Sequence, residues 1–212
     1  ISECLVGSEM CIRDSALVYA TQKKGLGFRM PENTKYQRRF EPYEKELIEI
    51  RRHLHRHPEL GLQEFETSAF IRDYLEKLGY RLTKVEPTGW IAEHPCQETA
   101  AFADKKQVVL RSEMDALPIQ EQTGLPFASE REGVMHACGH DAHAACLLGA
   151  AKILSENRDA FSGKVRLVFQ PGEEIGKGAK PFVAAGVLDG AVLDEGDVAG
   201  AFLQIRGDVG GE

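Results

Sequence analysis

The chain has 212 residues, 42% apolar and 28% charged, a composition that fits a soluble globular protein of one domain or one and a half. Its net charge of −7 and the lack of a basic stripe argue against a nucleic-acid partner, and no apolar run of about eighteen residues offers a membrane span. Five cysteines, an odd number without framework spacing, fit a reducing compartment, so a cytoplasmic location is expected.

Residues 1–15 (I-S-E-C-L-V-G-S-E-M-C-I-R-D-S) resemble a translated sequencing adapter and are set aside as a non-native segment. Residues 16–42 are mixed and polar, and a loosely structured leader is expected there. A helix is predicted over residues 43–57, with Leu47, Ile50 and Leu54 on one face and Pro58 as its stop. His53, His55 and His57 alternate along it. Alternate helical residues face apart, so one ion cannot collect all three.

A second helix is predicted over residues 67–79, packing Phe70, Ile71, Tyr74, Leu75 and Leu78 inward and stopping at Gly79. Short strands are predicted at 81–86 and 90–93, with a turn at His94-Pro95-Cys96 and a buried strand at 108–111. After that strand come Glu113 and Asp115, carboxylates at a strand end, where open α/β sheets hold ligands. Residues 121–132 read as a charged, turn-rich connector.

Residues 133–174 concentrate the chemistry. They read G-V-M-H-A-C-G-H-D-A-H-A-A-C-L-L-G-A-A-K-I-L and, further on, K-V-R-L-V-F-Q-P-G-E-E. Cys138 and His140 are two apart, a spacing that converges from a turn but not along a helix. Ala144, Leu147, Leu148, Ala151 and Leu154 then recur at helical spacing, and Asp141 is placed to cap that helix. A strand is predicted at 165–169, stopped by Pro171-Gly172, with Glu173 and Glu174 just past its end. Taken singly, Cys138 reads as a small buried hydrophobe and the Glu pair as a solvated face. Together, thiol, imidazole and carboxylate form a mixed donor set suited to zinc or a similar divalent ion, with one carboxylate free to take a proton. A helix opening at 176–180 and closing at 186–189, and a last apolar strand at 199–205, complete the pattern.

R-S-E-M-D-A-L-P (111–118), G-V-M-H-A-C-G-H-D-A-H (133–143), F-Q-P-G-E-E (169–174) and R-R-H-L-H-R-H-P-E-L-G-L-Q-E-F-E-T-S (51–68) resemble the M20 metallopeptidase family. The branch is that of hippurate hydrolase, N-acyl-amino-acid amidohydrolase and plant auxin-conjugate hydrolase. The resemblance runs from residue 43 to 212. It implies a zinc-peptidase-like α/β/α catalytic domain with a central mixed sheet, incomplete at its C-terminus. It further implies a metal-dependent hydrolase that cleaves the amide bond of N-acyl amino acids or small peptides. Two divalent ions, zinc, manganese or similar, would activate a water, with Glu173 as general base and Cys138, His140 and Glu174 as ligands. Asp115, Glu113, His136, Asp141 and His143 would stand behind them or face substrate. Relatives continue with a dimerisation domain, through which the full-length protein would form a homodimer, and then with the rest of the catalytic domain.

Two departures bear on that expectation. The family usually carries Asp where this chain has Glu113, and a His ligand where it has Gln204, whose amide oxygen is a weaker ligand for a borderline ion. The rival readings are an inactive or metal-poor truncated fragment, and an amidase with Cys138 as nucleophile.

Overall fold

The computed structural model describes residues 37–94, 107–158, 161 and 163–191. Expectations that fall on Pro95, Cys96, the 199–205 strand and Gln204 lie outside these residues.

Helix α1 (Gln37–Arg56) buries Ile50 and Leu54 and lays Leu47 against the core. It begins ahead of the predicted start at residue 43, so Pro42 lies inside the helix and the expected loose leader overlaps its first turns. Helix α2 (Phe65–Lys77) buries Ile71 and Leu75. It begins two residues before the predicted start because its first amides have a remote acceptor. The buried Glu59 carboxylate accepts the N–H groups of Glu66 and Thr67 at 3.2 and 2.8 Å. Gly79 follows its C-terminal cap at φ 82°, a left-handed conformation that glycine adopts without a Cβ penalty.

Strands β1 (Arg81–Val85) and β2 (Gly89–Glu93) form an antiparallel hairpin. β3 (Gln107–Glu113) and β4 (Lys164–Gln170) run parallel, joined through helix α3 (His140–Glu156). β2 pairs antiparallel with β4, giving a mixed sheet in the order β1-β2-β4-β3. The predicted burial of β3 holds only in part. It is one of the two edge strands of the described sheet, and Val108 is 50% exposed.

Side chains alternate across the sheet. Leu167 and Phe169 on β4 face one layer with Ile50, Leu54, Ile71, Leu75 and Leu148 from α1, α2 and α3. Val168 faces the other, with Ile91, Phe182 of α4 (Ala179–Ala184) and Val187. The result is an α/β/α arrangement around a mixed sheet. α1 approaches α3 closely: a Cβ added at Gly149 would lie 2.6 Å from Leu47 Cδ2. No described helix is long and apolar enough to cross a membrane.

The register fixes where the chemistry falls. Glu113 pairs with Gln170 at the shared C-terminal end of the two parallel strands. The loop carrying Asp115 and the turn carrying Glu173 and Glu174 therefore leave the sheet side by side.

Candidate metal centre

The turn at Gly139 delivers the thiol and the imidazole. Gly139 stands at the N-cap position of α3 with φ 90°, and His140 is the first helical residue. Asp141 is not the cap. It lies inside the first turn, fully buried, 2.8 Å from both Arg51 Nε and His55 Nδ1. Its carboxylate is hydrogen-bonded to His55 and ion-paired with Arg51, both on α1, and its burial against them pins the two helices together. Although burial alone would raise it, the His55 hydrogen bond and the surrounding positive charge hold its pKa at about 2.

His140 is oriented from behind. Its Nδ1 lies 2.9 Å from the backbone carbonyl of Asp115 and 3.3 Å from Asp115 Oδ1. An N–H donated on that side leaves Nε2 as the free acceptor. Nε2 faces the Glu pair, 3.6 Å from Glu173 Oε2 and 3.8 Å from Glu174 Oε1. Asp115, 1% exposed, also accepts the backbone N–H of Glu174 at 2.9 Å.

One donor atom from each of Cys138, His140 and Glu174 lies within 4.8 Å of the others. Such a set could hold a divalent cation. Two observations fit one. Glu174 Oε1 is buried with no hydrogen-bond partner in the described structure. Cys138 is exposed, not buried, and its thiol is pushed up to about 11 by partial desolvation, a hydrogen bond to Glu174 and the charges of Glu174, Glu173 and Glu113, a surplus of negative charge that a cation would offset. Glu173 is the more open of the pair, its side chain 31% exposed against 18% for Glu174. Burial raises its pKa, and repulsion from Glu174, Glu113 and Asp115 adds to that against the attraction of His140.

Glu113 takes the Arg111 guanidinium on Oε1 at 2.5 Å and His143 Nδ1 on Oε2 at 2.9 Å. Burial works against ionisation there, yet His143 and Arg111 hold its pKa at about 2. Glu113, His140 and His143 form a second group of donors within 4.8 Å. His136 belongs to neither group. It is buried, both ring nitrogens lack a hydrogen-bond partner in the described structure, and burial depresses its pKa to about 4.

His53 and His55 lie on α1 and His57 just past its end, with the His53 and His57 rings packed edge-on at 4.8 Å. The His53 ring packs on Phe70 at 4.6 Å, His57 lies 3.9 Å from Glu130, and His55 sits between Asp141 and Glu121. His94 packs edge-on to Tyr80. None joins either donor group.

Three supporting carboxylates escaped the sequence reading. Glu59 caps α2, and Glu121 accepts from Ser129 N–H at 2.6 Å and from Thr123. Glu64, 0% exposed, accepts Thr88 Oγ1 at 2.7 Å, Gly172 N at 2.8 Å and Leu62 N at 3.0 Å. It thereby ties the loop before α2 to the turn that bears the Glu pair.

Residues 109–208 match the model of Peptidase family M20/M25/M40. The chain belongs to the M20 family. N-acetyl-L-cysteine deacetylase of Bacillus subtilis is 51% identical to this M20 chain over 148 residues, 69% of this chain and 34% of that protein. N-acyl-L-amino acid amidohydrolase of Geobacillus stearothermophilus is 46% identical over 147 residues, 68% of this chain and 38% of that protein. The crystal structure of the Bacillus subtilis YXEP protein, a dinuclear metal-binding peptidase of the M20 family, superposes with a TM-score of 0.64 at 46% identity. It covers 71% of this chain and 41% of that one. The M20 chain thus spans about a third of the length of the curated relatives it matches.

Proposed function

We propose that this chain carries the metal-binding half of an amidohydrolase. Its reaction is hydrolysis of the amide bond of a small N-acyl amino acid or peptide, with two divalent cations, zinc, manganese or similar. The observation that carries the reading is the convergence of Cys138, His140 and Glu174 from two strand-end loops, with Glu173 beside them and more open to solvent. The names of the relatives, deacetylases and amidohydrolases of N-acyl amino acids, support the substrate class. The dinuclear neighbour supports the count of ions.

In this reading Cys138, His140 and Glu174 hold a cation. When bound, it supplies a Lewis acid that polarises the amide carbonyl and favours deprotonation of water. Asp115 fixes the tautomer of His140 and the backbone of Glu174, so both donors face one point. Glu173 accepts the proton of the attacking water. It returns that proton to the amide nitrogen as the C–N bond breaks, giving a carboxylic acid and an amine. Its raised pKa suits a group that must first take and then give a proton.

The thiol-nucleophile rival has a specific difficulty. A nucleophilic cysteine needs a depressed pKa, whereas Cys138 is raised to about 11 among carboxylates. In the full-length protein, Glu173→Gln should cut turnover by about 10²–10⁴-fold with metal content unchanged. Activity that survives this change removes Glu173 as the base. Activity that resists chelator and falls to thiol alkylation restores the cysteine rival.

A further inference from the structure

We propose that His53 and His57, with Glu130, form a site for a borderline divalent cation such as zinc at the C-terminal end of α1. None of the three belongs to the Cys138–His140–Glu174 set.

Helical geometry brings the imidazoles together. Alternate residues face apart, but residues four apart share a face, and His53 and His57 are such a pair. His55, between them, turns to Asp141 instead. His57 follows the last residue of α1, yet the turn continues through it. Its N–H donates to the carbonyls of His53 and Leu54 at 3.3 and 3.1 Å. The two ring centroids stand 4.8 Å apart. Two imidazoles on one ion, with bonds of about 2.1 Å at a tetrahedral angle, would set their centroids about 5 Å apart. The rings therefore have the spacing for a shared ion and need only turn about side-chain bonds from their edge-on arrangement. A cavity of about 250 Å³, lined by His53, Leu54, His57, Glu66 and Thr67, gives the room.

The 121–132 connector brings the carboxylate. The backbone N–H of Glu130 donates to the Arg56 carbonyl at 2.8 Å, which holds Glu130 at the end of α1. Its Oε2 lies 3.9 Å from His57 Nδ1. That is too long for a hydrogen bond and near the roughly 3.4 Å that two donors keep on one tetrahedral ion. Glu66, on the cavity wall, pairs with Arg131 at 2.7 Å, so Glu130 is the carboxylate turned to the imidazoles. Two imidazoles and a carboxylate suit a borderline ion, with a further position for water. The carbonyls at the end of α1 add partial negative charge that favours a cation there. A bound ion would clip the connector to α1.

The test is a zinc titration of the full chain, followed at the histidine ring nitrogens in a long-range proton–nitrogen correlation spectrum assigned by single substitutions. His53 and His57 should shift together with one affinity, apart from any response at His140, and the buried His55 should not move. His57→Gln should weaken the His53 response by about tenfold or more, since a lost ligand costs at least as much as a lost outer partner. Glu130→Gln should weaken the responses of both rings. An unmoved His55 signal in each variant checks that it is folded. His53 and His57 signals that stay in place at millimolar zinc overturn the proposal. So does a His53 response that keeps wild-type affinity in His57→Gln, or a pair of responses that Glu130→Gln leaves unchanged.

Discussion

Asp115 Oδ2 accepts the backbone N–H of Glu174 at 2.9 Å, across 59 residues of sequence, while the backbone carbonyl of Asp115 lies 2.9 Å from His140 Nδ1. One buried residue thus sets two donors that arrive from different elements. Its carboxylate is held ionised against the cost of burial by His140 and by the amides of Glu174 and Glu173. Asp115→Asn keeps the volume but sets an amide N–H against one of these N–H groups. Metal affinity should fall by about 10–100-fold with the fold intact. Competition with a chromophoric chelator measures it, and an unchanged affinity would show that the two donors do not depend on Asp115.

The turn that carries the Glu pair has a steric constraint. A Cβ built at Gly178 would lie 1.5 Å from the Pro171 carbonyl oxygen and 2.7 Å from its carbon. Backbone cannot rotate aside as a side chain can, so Gly178→Ala should cost about 3 kcal/mol or more in denaturant unfolding. Gly176→Ala is the control. Its Cβ would meet nothing within 4 Å, and only its φ of 65° opposes the change, at about 1 kcal/mol. Equal losses for the two variants would refute the steric account.

Much of this architecture was legible because it is encoded locally. The helical stripe from Ala144 to Leu154, the stop at Pro171-Gly172 and the acidic residues past two strands place the donors without any knowledge of tertiary contacts. What was not legible depends on partners far away. Asp141 follows the rule for a capping residue, and Arg51 and His55, 86 residues before it in the case of His55, override that rule. Glu64 looks like one charge among many in E-F-E-T-S, yet it meets Gly172 108 residues later. β3 reads as buried because a run of β-branched residues does not reveal whether its outer neighbour is another strand.

Glu64 gives a prediction of its own. Burial raises its pKa, and its contacts are to three donors: a hydroxyl and two backbone amides. Glu64→Ala would strand the amides of Gly172 and Leu62 out of water. Unpaired buried donors cost about 1–3 kcal/mol each. The loss should appear in denaturant unfolding, together with weaker metal binding, because Gly172 anchors the Glu173–Glu174 turn. Lost stability without weaker binding would mean that the turn holds its place unaided.

His55 sets the alkaline side of the stability profile. Its ring is 1% exposed, with Nδ1 2.8 Å from Asp141 Oδ2 and Nε2 3.2 Å from Glu121 Oε1. Burial lowers its pKa and so does Arg51, but the hydrogen bonds and charge of Asp141, with Glu121, raise it above the ordinary 6.5. The folded state therefore binds the proton more tightly than the unfolded chain. That contribution is complete below about pH 6.5 and is lost as pH rises through the folded value. His136, whose ring lies 6.4 Å away, is depressed to about 4, so protonation of its unfolded form opposes this slope near pH 6.5 and fades about one pH unit above it. The unfolding midpoint of the wild type should fall with pH above about 6.5. His55→Gln should be less stable than wild type at pH 6 and should fall less steeply, since its amide does not titrate and the raised His140 still does. Parallel profiles for the two proteins would show that the charge on His55 does not stabilise the pairing of α1 with α3.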